Sequence, residues 1–433
     1  MRRPAFSRAV WSWCLYDWAN SAFATTVMAG FFPVFFKQYW SAGADPVAST
    51  GRLALANSAA GLALAVLGPW LGAAADQGSA RKRFLAAFAL LGLAATSAFA
   101  AVPSGAWILA VGLYILASIG FSGGNIFYDA LLTRVSPPED YNAVSARGYA
   151  LGYVGGGLLL ALNIWMVGQP GRFGLANAAD AVRASFVLVA GWWLVFSLPL
   201  WRWVPEPLEP GAERGWSLFG AGLRRLQTVW RELRTAGRPV LLFLAAYICY
   251  IAGVFTIMRM AVDYGLALGL SSRSLLLALL LTQAVGFPAA LAFGMLGRRL
   301  GARPALLLAI VIYALVTLGG MNLRSAGDFF LLAAGIGLVQ GGIQALSRAW
   351  YATLISRDSA AAFFGLYDLT GKLAIAAGPL LLGAAALAGR HFGLAGDQAS
   401  RLSLSVVLLL FALGAAFLMI NPLEPHGRRP GHH

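Results

Sequence analysis

The polar residues with chemical potential in this chain are few, and they sit in apolar company. Asp17 and Asn20 fall inside the first long apolar run. Asn125, Tyr128 and Asp129 fall inside the fourth, where Asn125 and Asp129 are one helical turn apart and share a face. Gln344 and Arg348 repeat that spacing in the tenth run. Asp368 and Lys372 repeat it in the eleventh, directly after Tyr367. A charge at the centre of a bilayer costs about 2.5–3.5 kcal/mol on insertion scales, so it is kept where it lines a cavity or meets a partner. Each group therefore has two readings. Asp17 with Asn20 binds a cationic or hydrogen-bonding group, or takes a proton. Alternatively it staples helices near the membrane surface, which the neighbouring Tyr16 and Trp18 suit as belt residues. Asp129 and Arg348 meet as a gate, or each pairs within its own half, Asp129 with Arg134 or Arg147. Lys372 holds a solute carboxylate or phosphate and responds to protonation of Asp368, or the two neutralise each other in acid-before-base order.

A second set lies at the ends of apolar runs. Gly72 and Asp76 are followed by Arg81, Lys82 and Arg83, and Gly294 and Arg298 by Arg299 and Arg303. Small residues permit close helix packing, and an aspartate there can face a helix N-terminus or a basic partner. Gly72, Asp76, Arg81, Gly294 and Arg298 are thus expected to form a gate on the side of the basic loops. Arg298 stands where Asp76 stands in the other half. Arg259 and Asp263 are spaced for a local ion pair.

The elements that hold these residues follow from composition. The chain has 433 residues, 59% hydrophobic and 11% charged. A soluble domain carries roughly a quarter charged residues, so the apolar outside must be solvated by lipid. Apolar stretches mark twelve spans at about 11–36, 51–75, 84–102, 106–133, 144–168, 182–203, 239–262, 273–297, 304–322, 327–350, 360–388 and 402–421. The first is too long for a signal peptide and reads as a span. The net charge of +15 does not point to nucleic acid, because the basic residues cluster in short loops between spans. Arg2, Arg3, Arg8, Arg81, Lys82, Arg83, Arg134, the arginines between 214 and 238, Arg298, Arg299, Arg303, Arg357, Arg428 and Arg429 fall on one side. That side is expected to be cytoplasmic and to carry both termini. Cys14 and Cys249 sit in apolar runs and imply no disulfide framework. His391, His426, His432 and His433 lie in a loop or the tail, so no metal site is expected.

The longest connection, 205–238, opens with Pro205, Pro207 and Pro210. It continues with Phe219, Leu223, Leu226, Trp230 and Leu233 at helical spacing among arginines. This reads as an amphipathic helix on the inner leaflet that braces two halves. The Gly72–Asp76 and Gly294–Arg298 segments, and Gly123-Gly124 with Gly341-Gly342, recur at about half the chain length, as a duplicated six-helix unit requires. The expected architecture is an all-α integral membrane protein with twelve transmembrane helices in two pseudo-symmetric six-helix bundles. The bundles are 1–204 and 239–433, joined by the linker 205–238.

The Gly72–Asp76 segment with its trailing basic residues resembles the loop motif of the major facilitator superfamily. The first span, Tyr16-Asp17-Trp18-Ala19-Asn20-Ser21-Ala22-Phe23 with Phe32-Pro33-Val34-Phe35, resembles the signature of the "unknown major facilitator" family. That family includes the autophagy-related vacuolar amino-acid effluxer of fungi. Ala150-Leu151-Gly152-Tyr153-Val154-Gly155-Gly156, Gln344-Ala345-Leu346-Ser347-Arg348, and Phe363-Phe364-Gly365-Leu366-Tyr367-Asp368-Leu369-Thr370-Gly371-Lys372 agree with it. The resemblance implies the major facilitator fold and export of amino acids or similar small polar solutes; the working expectation is alternating access, driven by a proton gradient or, in a uniporter, by none. The family often carries Asn-Asp-Gly in its seventh helix. Here Ile251-Ala252-Gly253 stands instead, so no coupling ion is carried over.

The expected protein is a transporter and not an enzyme, with no cofactor, no metal and no catalytic residue. Its partners are a solute, protons and membrane lipids. It acts as a monomer in a bacterial inner membrane. Two rivals remain: a lipid or amphiphile facilitator of the same fold, and a membrane-embedded transferase or hydrolase. The second needs histidine, carboxylate or metal-ligand clusters and loops that shape a site, whereas the spans of this chain hold no histidine and its loops are short.

Overall fold

The computed structural model describes residues 7–207, 211–235, 238–267, 270–320, 325–391 and 396–422. Every regular element among them is helical. In chain order these are α1 (Arg8–Trp40), α2 (Pro46–Gln77), α3 (Arg81–Ala98), α4 (Trp107–Val135), α5 (Tyr141–Gly168) and α6 (Ala178–Trp203). Then follow α7 (Ser217–Thr235), α8 (Arg238–Ala267), α9 (Ser272–Leu300), α10 (Ala302–Gly320), α11 (Ala326–Leu354), α12 (Ala360–His391) and α13 (Gly396–Ile420). Eleven stretches are long and apolar enough to cross a membrane, and a twelfth, Ser405–Ile420, is apolar but shorter among the described residues. The side chains of Arg259 and Asp263 lie outside the described residues.

Polar side chains start these helices where the chain leaves a loop. Ser7 accepts from the Val10 amide and Asp45 from the Ala48 amide, with Pro46 at the first helical position. Ser325 and Asp328 form a reciprocal capping box at α11. Gly301, at a φ of 90°, turns the chain between α9 and α10. In α1 the regular ladder widens to π-helix over Phe23–Phe31 and Phe36–Trp40, on either side of a turn that holds Pro33. A proline removes a donor and crowds the carbonyl four residues back, a known cause of such irregularity.

The ends that carry the basic loops meet on one face of the molecule. The Arg8 guanidinium stacks on Trp203, and Arg303 donates to the carbonyls of Met419 and Asn421. Across the molecule α2 packs along α12, and α5 along α9. Both seams depend on absent side chains. A Cβ on Gly72 would lie 2.3 Å from the Ala361 carbonyl oxygen, and one on Gly294 would lie 2.4 Å from the Ala146 Cβ.

Part of the apolar side of the linker helix is taken up by protein. The apolar side of α7 covers the end of α2: Phe219 packs on Trp70, whose Nε1 donates to the Phe219 carbonyl, and Gly222 sits against Ala74. Val229 and Leu233 are buried, and among the described residues Leu223 and the preceding Trp216 remain as exposed large apolar groups; the side chain of Trp230 lies outside the described residues. Helical spacing reveals an apolar stripe but not whether protein or lipid covers it. Arg225 Nη2, donating to Ser359 Oγ at 2.5 Å, carries the brace across to the approach to α12.

Candidate functional site

Three polar layers lie one above another, starting at the basic end. In the first, Asp76 at the end of α2 faces the first turn of α12. Its Oδ1 accepts from the Ala361 amide at 3.2 Å and its Oδ2 from the Ala362 amide at 2.9 Å. A carboxylate at a helix N-terminus answers unpaired amides and the positive end of the helix dipole. Arg81 Nε donates to the same carboxylate at 2.7 Å, while its Nη2 donates to the Arg357 carbonyl at 2.6 Å. Both side chains are buried. Glu206, after α6, caps α3 in the same way, accepting from the amides of Arg81 at 2.6 Å and Lys82 at 2.9 Å. Burial pushes the Glu206 carboxyl above the ordinary glutamate range, against the pull of those two amides. Its stabilising contribution is therefore complete below the usual glutamate pKa and is lost as the pH rises through the raised value.

The second layer is built around Arg348, six residues before the end of α11. Its guanidinium donates Nη1 to Asp129 Oδ1 at 2.9 Å and Nη2 to the Ser145 carbonyl at 3.0 Å, and Nε to Ser145 Oγ at 2.8 Å. Nη2 also reaches Asp17 Oδ2 at 3.3 Å, an oxygen that accepts from the Tyr128 hydroxyl at 2.8 Å. Three rings surround the cation: Trp13 at 4.7 Å, Tyr149 at 4.5 Å and Tyr128 at 5.4 Å from their centroids. Charge-assisted bonds to two carboxylates, with ring faces on the plane, are the combination that guanidinium favours over ammonium.

The third layer lies about 18 Å along α12 from its start, at 1.5 Å per residue. Lys372 Nζ donates to Ser122 Oγ on α4 at 2.9 Å and stands 3.7 Å from Asp368 Oδ1. Asp368 Oδ2 is buried and has no hydrogen-bond partner among the described residues. Nearby on α1 and α4, Asn20 Nδ2 donates to Asn125 Oδ1 at 2.7 Å. Tyr367 stacks on Tyr247 at 4.2 Å.

A family model described as "Vacuole effluxer Atg22 like" matches residues 46–424. The chain belongs to the Atg22-like vacuole effluxer family. An uncharacterized transporter of the major facilitator type, YxiO of Bacillus subtilis, is 36% identical over 97% of this chain and 96% of its own length. Autophagy-related protein 22 of Coccidioides immitis is 25% identical over 88% of this chain and 82% of its own. The human organic anion transporter MFSD10 superimposes with a TM-score of 0.67 at 18% identity, covering 95% of this chain and 100% of that one. The fold is that of the major facilitators, and the chain is a multi-pass membrane transporter.

In this Atg22-like chain the residues picked out by type and spacing separate into groups. Asp17, Tyr128, Asp129 and Arg348 converge, as do Asp76 and Arg81, and Asp368 and Lys372. Asn20 and Asn125 pair with each other. Gln344 is half-buried one turn before Arg348. Arg298 is exposed at the end of α9, whereas Gly294 and Gly297 beside it are packed. Trp13, Ser145, Gly148 and Tyr149 complete the arginine site and carry no sequence signal for it beyond Trp13 lying one turn before Asp17.

Gly148 has a testable role. A Cβ there would lie 2.4 Å from Asp17 Oδ2 and 3.2 Å from Arg348 Nη2. Alanine in a helix interior ordinarily gains about 1 kcal/mol over glycine. Here crowding costs about 1–3 kcal/mol and outweighs it. Gly148→Ala is expected to lower the melting temperature of the purified protein, and an unchanged or raised value counts against the packing described.

Proposed function

We propose that this chain is a secondary active transporter that moves a small polar solute, an amino acid or a similar compound, by alternating access. The observation that carries the reading is the polar layer of Ser122, Asp368 and Lys372. It lies deep in an apolar molecule, above an end sealed by Asp76, Arg81 and Arg348. A lysine held by a hydroxyl, beside a carboxylate oxygen with no partner, offers one site for an anionic group and another for a donor. Segments 1–204 and 239–433 act as the two rocking bundles, with 205–238 as a brace. Asp17, Asn20, Asn125, Tyr128, Asp129, Gln344, Arg348, Tyr367, Asp368 and Lys372 serve binding or coupling. Gly72, Asp76, Arg81 and Gly294 serve the gate, whereas Arg298, exposed at the end of α9, takes no part in the seam.

The excess of arginine and lysine at that end supports a cytoplasmic placement of it, in a bacterial inner membrane. The effluxer description of the family supports export, and the buried carboxylates suit proton coupling. We read the protein as a monomeric carrier without enzymatic activity. The test is uptake by reconstituted vesicles across labelled amino acids, sugars and lipids, with and without a pH gradient. Accumulation of a small polar solute supports the reading. Movement of lipid alone, or turnover of a lipid-linked compound without transport, overturns it.

A further inference from the structure

The partners of Arg348 all come from the opposite side of the molecule. Asp17 and Trp13 stand on α1, Tyr128 and Asp129 on α4, and Ser145 and Tyr149 on α5, whereas Arg348 arrives from α11. The first six spans thus present a complete socket for a planar cation, and the last six supply the plug. Trp13 is tied in place by its Nε1 donating to the Tyr128 carbonyl at 2.9 Å, and Asp17 by the Tyr128 hydroxyl at 2.8 Å, so neither depends on Arg348 for position. If the bundles rock as proposed above, opening the basic end withdraws Arg348 with α11. Two carboxylates, a hydroxyl, a carbonyl and three ring faces are then left lining the passage.

We propose that this socket is a binding site for guanidinium-type organic cations, filled by Arg348 when the basic end is closed and by a solute cation when it is open. The inference rests on the alternating-access reading for its use, but not for the existence of the site. The acceptors surround a plane, and the rings lie over it. Planar, multiply donating, weakly hydrated cations exploit both features, whereas ammonium and alkali ions do not use the fork. A solute that fills the socket from the basic side competes with Arg348 and holds that side open. The gate and a recognition site would then be one structure.

The probes are guanidinium and methylguanidinium chloride at low-millimolar concentration, against equal sodium, potassium and tetramethylammonium chloride. In Arg348→Ala the two probes are expected to raise the melting temperature saturably, by about 2 °C when well above their dissociation constants. The rise should vanish in Arg348→Ala/Asp129→Asn. An equal rise with sodium, or one that survives loss of the carboxylate, overturns the site. A second measurement does not need that variant to fold. Ala146, buried in the seam between α5 and α9, is replaced by cysteine in a chain with Cys14 and Cys249 changed to alanine. Methylguanidinium should raise its maleimide labelling several-fold. No thermal rise and no change in labelling overturns the proposal. A thermal rise with unchanged labelling leaves the site standing and overturns the alternating-access reading.

Discussion

Asp76→Ala is expected to unlatch the basic end. The carboxylate meets two α12 amides and the Arg81 guanidinium, with both charged groups buried. Removing one partner of a buried pair costs about 3–5 kcal/mol, because the other charge is left uncompensated. The two amide contacts join α2 to α12, unlike the Asp76–Arg81 pair within the first six spans, so their loss falls on the closed form. At about 3 kcal/mol the ratio of closed to open molecules drops by more than about 100-fold. The readout is maleimide labelling of Ala146→Cys, which sits in the other seam and touches none of these groups. A large rise in labelling is expected for Asp76→Ala and a smaller one for Asp76→Asn, which keeps an acceptor for the amides. Equal labelling in all three would mean that this carboxylate does not hold the end shut.

The second large effect concerns Lys372. Its ammonium bridges α12 to Ser122 on α4 and stands beside Asp368. Lys372→Ala should abolish uptake of the solute identified in vesicles, while the protein still elutes as a single species and melts cooperatively. Lys372→Arg keeps the charge but not the compact three-donor head, and so should leave partial uptake with a raised KM. Normal uptake by the alanine variant removes Lys372 from the solute path. Lost uptake together with lost cooperative melting would make it a structural residue instead.

Much of the fold is legible before any coordinates, because a bilayer imposes one length scale on every span. The apolar runs at 51–75 and 304–322 correspond to α2 (Pro46–Gln77) and α10 (Ala302–Gly320) within a few residues. The meeting of Asp129 with Arg348 is also foreshadowed, since the internal repeat puts opposite charges in matching places. Asp17 joining them is not, and neither is the ring of Trp13, Tyr128 and Tyr149. Those contacts depend on how α1, α4 and α5 rotate about their axes, and a helix that is apolar all round gives no amphipathic stripe from which to read rotation. The linker shows the opposite case. Its stripe is clear in sequence, but periodicity cannot distinguish the flank of α2 from acyl chains. The exposed Arg298 shows a third limit. A repeat predicts equivalent positions, not equivalent contacts, and there the seam is made by Gly294 and Gly297.

The π-helical stretches of α1 carry a consequence for comparison between relatives. Each residue added to a turn rotates everything beyond it by about 100° relative to a regular helix. The buried aromatic cluster of Phe32, Phe35, Phe36 and Trp40 lies beyond the first widened stretch, with Phe36 and Trp40 inside the second. A helical wheel drawn from Asp17 therefore loses its bearing after Phe23. Two members of the family with identical residues at the outer end of this helix can present them to different neighbours if one lacks a widened turn.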